Sequence, residues 1–201
     1  MNFLAHTYLS GANDEIIVGN FMGDYVKGKN YLHLPEQIRK GILIHRDIDY
    51  YTDTHPITRE SRARLSDRYH KYAGIIVDIL YDHFLARNWS LYCHIPLEEY
   101  VNNTYLILKR NYEILPIGIK VWFPTFLENN WLLTYQTVEG IERVLDRMSE
   151  NTSLPDHTNY AITVLRNEYE GFRSEFETFF SQIIHFIEEK YEISINSQRC
   201  V

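Results

Sequence analysis

The chain has little cysteine, proline or glycine, no long apolar run, and a deficit of positive charge. Two cysteines, Cys93 and Cys200, make no disulfide framework, so a fold stapled for an oxidising compartment is excluded; reduced thiols in a cytoplasmic protein are the expectation. Six prolines and nine glycines in 201 residues are too few for a disordered or low-complexity chain. No apolar stretch approaches the ~20 residues that cross a bilayer, and the segment from Met1 to Leu9 lacks a basic leader region, so neither a membrane span nor a secretory leader is expected. A net charge of −7 argues against general nucleic-acid binding. Several catalytic templates are missing too. There is no Gly-x-Ser-x-Gly, no phosphate loop of the Walker type, no Cys-x-x-Cys and no His-Glu-x-x-His.

What the chain does have is helix-forming pattern and aromatic bulk. Sixteen tyrosines and ten phenylalanines supply large side chains that pack while keeping a polar tip. The length suits one domain, expected over 1–190, with a tail at 191–201 that frays. The pattern predicts helices over 13–27 (opened near Asn13), 35–53 (with Pro35 in its first turn), 57–70, 72–90, about 96–112, 119–134 with a break or kink at Pro124, 137–149, and a long one over 157–190. Strand evidence is poor, and the fold class expected is all-α.

The chemistry concentrates in the first half. Asp78-Ile79-Leu80-Tyr81-Asp82-His83 puts two carboxylates and an imidazole into an apolar segment, with Asp78 and Asp82 one helical turn apart on one face. Burying two carboxylates costs several kcal/mol each unless a cation or good hydrogen bonds compensate, as a metal ion would. The alternative is a hydrogen-bonded polar patch in which Asp82 pairs with Arg87. His45 and Asp49 also stand one turn apart, followed by Asp53-Thr54-His55-Pro56; Gly23-Asp24 and His6 add further acid and imidazole. A helical histidine on an apolar face is commonly a satisfied core residue, and an acid after a glycine is commonly a cap. Imidazole with carboxylate suits a first-row divalent ion such as Mn, Fe or Zn.

Residues 59–71 run against the overall charge: Arg59, Arg62, Arg64, Arg68 and Lys71 stand against Glu60 and Asp67. On one helix Arg64, Arg68 and Lys71 form a row. This is either a solvated face or a docking site for an acidic partner or phosphate.

Four blocks carry a resemblance to a known family. They are Met-Asn-Phe-Leu-Ala-His at 1–6, Gly-Asn-Phe-Met-Gly-Asp-Tyr-Val-Lys-Gly at 19–28, the run from His45 through Asp49 to Thr52-Asp53-Thr54-His55-Pro56, and Val77-Asp78-Ile79-Leu80-Tyr81-Asp82-His83-Phe84-Leu85-Ala86-Arg87-Asn88-Trp89. In this order they resemble the bacterial acyl carrier protein phosphodiesterases, a family similar to the HD metal-dependent phosphohydrolases. The resemblance implies a compact HD-like helical domain that removes 4′-phosphopantetheine from the serine of holo acyl carrier protein, usually with Mn²⁺, within fatty acid metabolism. The HD doublet reads Asp82-His83 here, in reversed order. On this resemblance Asp24, His45, Asp78 and Asp82 form the expected metal shell. His6, His55 or His83 protonates the leaving oxygen or orients the phosphate, and the basic residues Arg59, Arg62, Arg64, Arg68 and Lys71 receive the acidic carrier protein. Two other readings stand beside it: a metal phosphohydrolase of a nucleotide or other small phosphodiester, and a non-catalytic helical module that binds acyl carrier protein.

Overall fold

The computed structural model describes residues 1–195, which form helices and turns with no strand among them. The all-α expectation holds, and nothing in the architecture conflicts with an HD-like arrangement. The expected tail falls, from residue 196 on, outside the described residues. No helix among the described residues is long and apolar enough to cross a membrane.

A short helix that the sequence pattern does not announce, α1 (Phe3–Tyr8), opens the chain. α2 (Asp14–Phe21) starts where Asn13 accepts a hydrogen bond from the Ile16 N–H, and it stops six residues short of the expected end, in a 3-10 turn at Gly23–Tyr25. α3 (Glu36–Thr54) follows Pro35, and Pro56 enforces its end. α2 and α3 touch backbone to backbone. A Cβ added at Gly19 would lie 2.1 Å from the Ile38 carbonyl oxygen, and one at Gly41 would lie 2.2 Å from that of Ile16. Only glycine admits that approach, and it brings the 23–25 turn against the middle of α3.

The helix expected over 57–70 is divided into α4 (Pro56–Ala63) and α5 (Ser66–Tyr69), followed by a 3-10 turn in which His70 has φ 45°. Leu65 is fully buried at the join, so core packing overrides helical continuity there. The row of Arg64, Arg68 and Lys71 is therefore not a helix face. α6 (Ala73–Arg87) is apolar on all sides because it is surrounded: Ile76, Val77, Ile79, Leu80, Tyr81, Phe84, Leu85 and Ala86 have no exposed surface.

α7 (Leu97–Arg110), α8 (Ile117–Glu128), α9 (Trp131–Thr134) and α10 (Val138–Asn151) close one side. α8 runs through Pro124 rather than breaking there, with Phe123 and Phe126 seated in the core on either side of the proline. The long helix expected over 157–190 is two, α11 (Thr158–Asn167) and α12 (Tyr169–Tyr191), parted at Glu168. The apolar spacing continues across this break, so no sequence signal marks it. α12 buries Phe172, Phe176, Phe179, Phe180, Ile183 and Ile187, and Arg64 is clamped to its Glu175 by two 2.6 Å hydrogen bonds.

The Gly41 contact is directly testable. Gly41→Ala should destabilise the fold by about 1–3 kcal/mol through overpacking, despite the better helix propensity of alanine. Urea unfolding of the two proteins reads the difference, and an unchanged midpoint would show that α2 and α3 are free to separate.

Candidate metal centre

Four elements converge on one cluster. α1 brings His6, α2 brings Asn20, the 23–25 turn brings Asp24, and α3 brings His45 and Asp49 from successive turns of one face. Gly23 makes the approach possible: a Cβ there would lie 2.2 Å from the His45 ring. The two imidazoles stack with centroids 4.2 Å apart. Asp49 spans them, with one oxygen 3.2 Å from His6 Nε2 and the other 3.1 Å from His45 Nε2. Asp24 stands 3.4 Å from that same His45 nitrogen.

The orientation of His6 follows from its neighbours. The Asn20 amide nitrogen donates to the His6 carbonyl and to Ser10 Oγ, each in reach at 2.8 and 2.9 Å. Its oxygen therefore faces His6 Nδ1, 2.8 Å away, and that nitrogen carries the proton. In the neutral ring Nε2 is left with a lone pair aimed at a carboxylate. His45 is buried, and neither of its ring nitrogens has a well-formed hydrogen bond. Lone pairs gathered in this way call for a cation among them. Neighbouring ligand atoms at 3.1–3.2 Å match the spacing of two donors each about 2.0–2.2 Å from one ion. His6, His45 and Asp49 place all their donor atoms within 4.8 Å of one another and fit a divalent metal.

The titrations agree with a site that wants positive charge. Burial and the neighbouring His45 push His6 down. Burial works against a charge on His45 too, but Asp24 and Asp49 overcome it and lift its pKa to about 9. Burial opposes ionisation of Asp49, yet His45 and His6 hold its carboxyl far below the usual range; His45 likewise lowers Asp24. A proton on His45 thus stands where the site would otherwise place a metal cation.

The expected metal shell is split by the structure. Asp24 and His45 are in the cluster. Asp78 lies on the wall of an adjoining cleft of about 690 Å³, where it pairs with the Met1 ammonium at 2.9 Å. Asp82 has no exposed surface and accepts the backbone N–H groups of Asn2, Leu4 and Ala5 at 3.1, 2.8 and 3.3 Å. It ties down the N-terminus of α1 from another helix, alongside the N-cap Asn2, whose own side chain accepts the Phe3 N–H at 2.8 Å. Burial lifts its pKa to about 7 against the pull of the ammonium and those N–H groups.

Two of the three histidines expected to act on substrate are engaged elsewhere. His83 donates from Nδ1 to the Tyr135 carbonyl at 2.7 Å and accepts from the Tyr169 hydroxyl at 3.0 Å. His55 accepts the Ile57 N–H and reaches Gln182 at 2.9 Å, capping α4. Of the basic residues, Arg62 and Lys71 line the cleft, Arg64 is held by Glu175, and Arg59 and Arg68 are exposed. Arg62 also pairs with Asp53 at 2.6 Å. Asp49 and Asn20 are missing from the residues the sequence singles out as ligands. The i, i+4 spacing from His45 is the available signal for Asp49, while Asn20 has none beyond its place in the 19–28 block.

Removing the Asp82 carboxylate should cost stability first. Asp82→Ala should lower unfolding free energy by about 3 kcal/mol, because the buried N–H groups of Leu4 and Ala5 and the part-buried one of Asn2 lose their acceptor. Thermal unfolding of metal-free protein reads this. An unchanged midpoint would mean that α1 is held by its apolar packing alone.

Comparison with known proteins bears on what the cluster serves. A family model described as acyl carrier protein phosphodiesterase matches residues 1–183. An acyl carrier protein phosphodiesterase of Klebsiella pneumoniae (strain 342) is 31% identical over 198 residues, covering 94% of this chain and 99% of its own. Those of Yersinia pestis and Pectobacterium atrosepticum are 28% and 32% identical, over 94% and 74% of this chain and 99% and 78% of theirs. No solved structure matches. The match covers all four sequence blocks and every residue of the cluster, and the chain belongs to the acyl carrier protein phosphodiesterase family.

Proposed function

We propose that the chain, as one domain over residues 1–190, hydrolyses the phosphodiester between 4′-phosphopantetheine and the serine of holo acyl carrier protein, with Mn²⁺ at the cluster. One observation carries the reading. Two buried histidines and the half-exposed Asp49, with both His45 ring nitrogens lacking a well-formed hydrogen bond, stand on a cleft that Arg62 and Lys71 line together with Asp24, Asp53 and Asp78. Family membership supplies the substrate.

His6, His45, Asp49 and Asp24 would hold the ion, and Asn20 fixes the His6 tautomer. The mixed imidazole and carboxylate set suits Mn²⁺. When bound, a divalent ion neutralises the diester charge and makes water available as a nucleophile near neutral pH. Water then adds to phosphorus, the bond from phosphorus to the serine oxygen breaks, and that oxygen leaves with a proton. The products are apo acyl carrier protein and 4′-phosphopantetheine. Arg62 and Lys71 offer positive charge to the phosphoryl oxygens. Asp78 and the Met1 ammonium neutralise each other on the same wall, so Asp78 adds little net negative charge against the anionic substrate. Arg59 and Arg68, exposed beyond the cleft, are placed to steer an acidic carrier protein. The cytoplasm is the compartment this reading implies.

Mass spectrometry of holo acyl carrier protein incubated with the enzyme tests the reaction. A loss of about 340 Da only when Mn²⁺ is present is expected. An unchanged carrier alongside cleavage of a small chromogenic diester would move the assignment to a small phosphodiester. Asp49→Ala should lose both bound metal and turnover, by at least about a thousandfold, with its helical circular dichroism intact. Retained metal in that variant would overturn the ligand set.

A further inference from the structure

Between the 23–25 turn and α3 the chain runs through residues 26–35 without a helix, in a series of turns closed by the N–H groups of Asn30, Leu32 and Leu34. Asp24 stands at the start of this segment. Its side chain is 68% exposed, the most open of the four cluster ligands, and it lies 3.4 Å from the His45 nitrogen that Asp49 reaches at 3.1 Å. Burial of its own side chain therefore does little to hold Asp24 in the cluster. Its position depends on how the turn that carries it is held.

α3 holds that turn. One terminal nitrogen of the Arg46 guanidinium donates to the carbonyls of Val26 and Gly28, each at 2.8 Å. The Val26 N–H in turn donates to the Gly23 carbonyl at 3.2 Å and closes the backbone around Asp24. The same guanidinium lies over the Tyr31 ring, 4.9 Å from its centroid, so both ends of the loop are gathered on one side chain. No carboxylate among the described residues pairs with Arg46, and its charge is directed at backbone carbonyls. Hydrogen bonds from a charged donor are about twice as strong as neutral ones. On its other side the turn has one neutral bond at an exposed site, from Trp122 Nε1 to the Tyr25 hydroxyl at 2.9 Å. Arg46 directly follows His45. Successive helical side chains point about 100° apart, so one turn of α3 aims an imidazole at the cluster and a guanidinium at the loop bearing the opposing carboxylate.

We propose that Arg46 is a positioning residue: by tying residues 26–28 to α3, it fixes Asp24 against His45 and completes the metal centre. The proposal rests on the metal-centre part of the phosphodiesterase reading and on no particular substrate. A ligand already in place loses less freedom when the ion binds, so the tether is felt in metal affinity.

A double-mutant cycle on the full-length protein tests this, with free Mn²⁺ followed by its electron paramagnetic resonance signal. Arg46→Ala should weaken Mn²⁺ binding about tenfold, the scale seen for residues that hold a metal ligand in place. Arg46→Lys keeps a charged donor without the planar fork and should fall between. Asp24→Ala should weaken binding at least as much as Arg46→Ala. Adding Arg46→Ala to Asp24→Ala should then cost nothing further, because the residue it acts through is gone. A second readout needs no metal: trypsin should cut after the exposed Lys27 and Lys29 at least about tenfold faster in Arg46→Ala. Circular dichroism checks that the helices persist; should Arg46→Ala lose them, Arg46→Lys carries the same cycle. Unchanged Mn²⁺ affinity in Arg46→Ala or in Asp24→Ala, or unchanged trypsin cutting, would overturn the proposal. A repeated tenfold loss on top of Asp24→Ala would overturn it too, since Arg46 would then act by another route. A wild type that binds no Mn²⁺ would overturn the metal assignment and this proposal together. Affinities that obey the cycle, without cleavage of holo carrier protein, would support the role of Arg46 and count against the reaction alone.

Discussion

The arrangement of the site depends on a buried carboxylate that touches none of the cluster's donor atoms in the contacts seen here. Asp82 sits in the largely buried α6 and accepts three backbone N–H groups at the start of α1, those of Asn2, Leu4 and Ala5. The first N–H groups of a helix have no partner within it, and a six-residue helix has few other ways to hold itself in place. By tying down the N-terminus of α1 from inside the core, Asp82 sets the position of His6 one turn later. Those N–H groups and the Met1 ammonium offset part of the cost of burying the charge, and burial still lifts the carboxyl's pKa to about 7.

The cluster is built on the same logic. Each ligand-bearing element is fixed by a contact that leaves little slack: α1 by Asp82, the 23–25 turn by the bare face of Gly23 against His45, and α3 by the glycine contact with α2. Asn20 then sets which nitrogen of His6 carries the proton. Rigid placement matters because a cation holds its ligands within tenths of an ångström, and a cluster that had to assemble on binding would lose affinity to ordering. The electrostatics point the same way, with carboxylates driven to ionise and the imidazoles pulled in opposite directions by burial and by charge.

Much of this was legible in the chain, and the illegible parts share a cause. The helices around α3, α6, α7 and α10 follow their capping residues and apolar spacing closely. The departures are at places where core packing outweighs local preference: Leu65 divides one helix, Phe123 and Phe126 carry another through Pro124, and α11 and α12 part without any composition signal. Among site residues, His6, His45 and Asp24 stand out as acids and imidazoles in company. His55 and His83 stand out equally, yet their rings are occupied by Gln182, Tyr135 and Tyr169, partners far away along the sequence.

The sequence by itself determined the helical class, the kind of chemistry and the family, since composition, spacing and contiguous blocks are properties of the chain. It also determined the local pairing of His45 with Asp49, which follows from the pitch of a helix. Only the tertiary structure decided which carboxylates face the imidazoles and which hold backbone. Asp78 and Asp82 share a helix face by spacing, but one pairs with the Met1 ammonium at the cleft and the other ties down the N-terminus of α1. That division depends on what packs against each turn of α6, and such packing is set by contacts between segments remote in sequence, which no local pattern encodes.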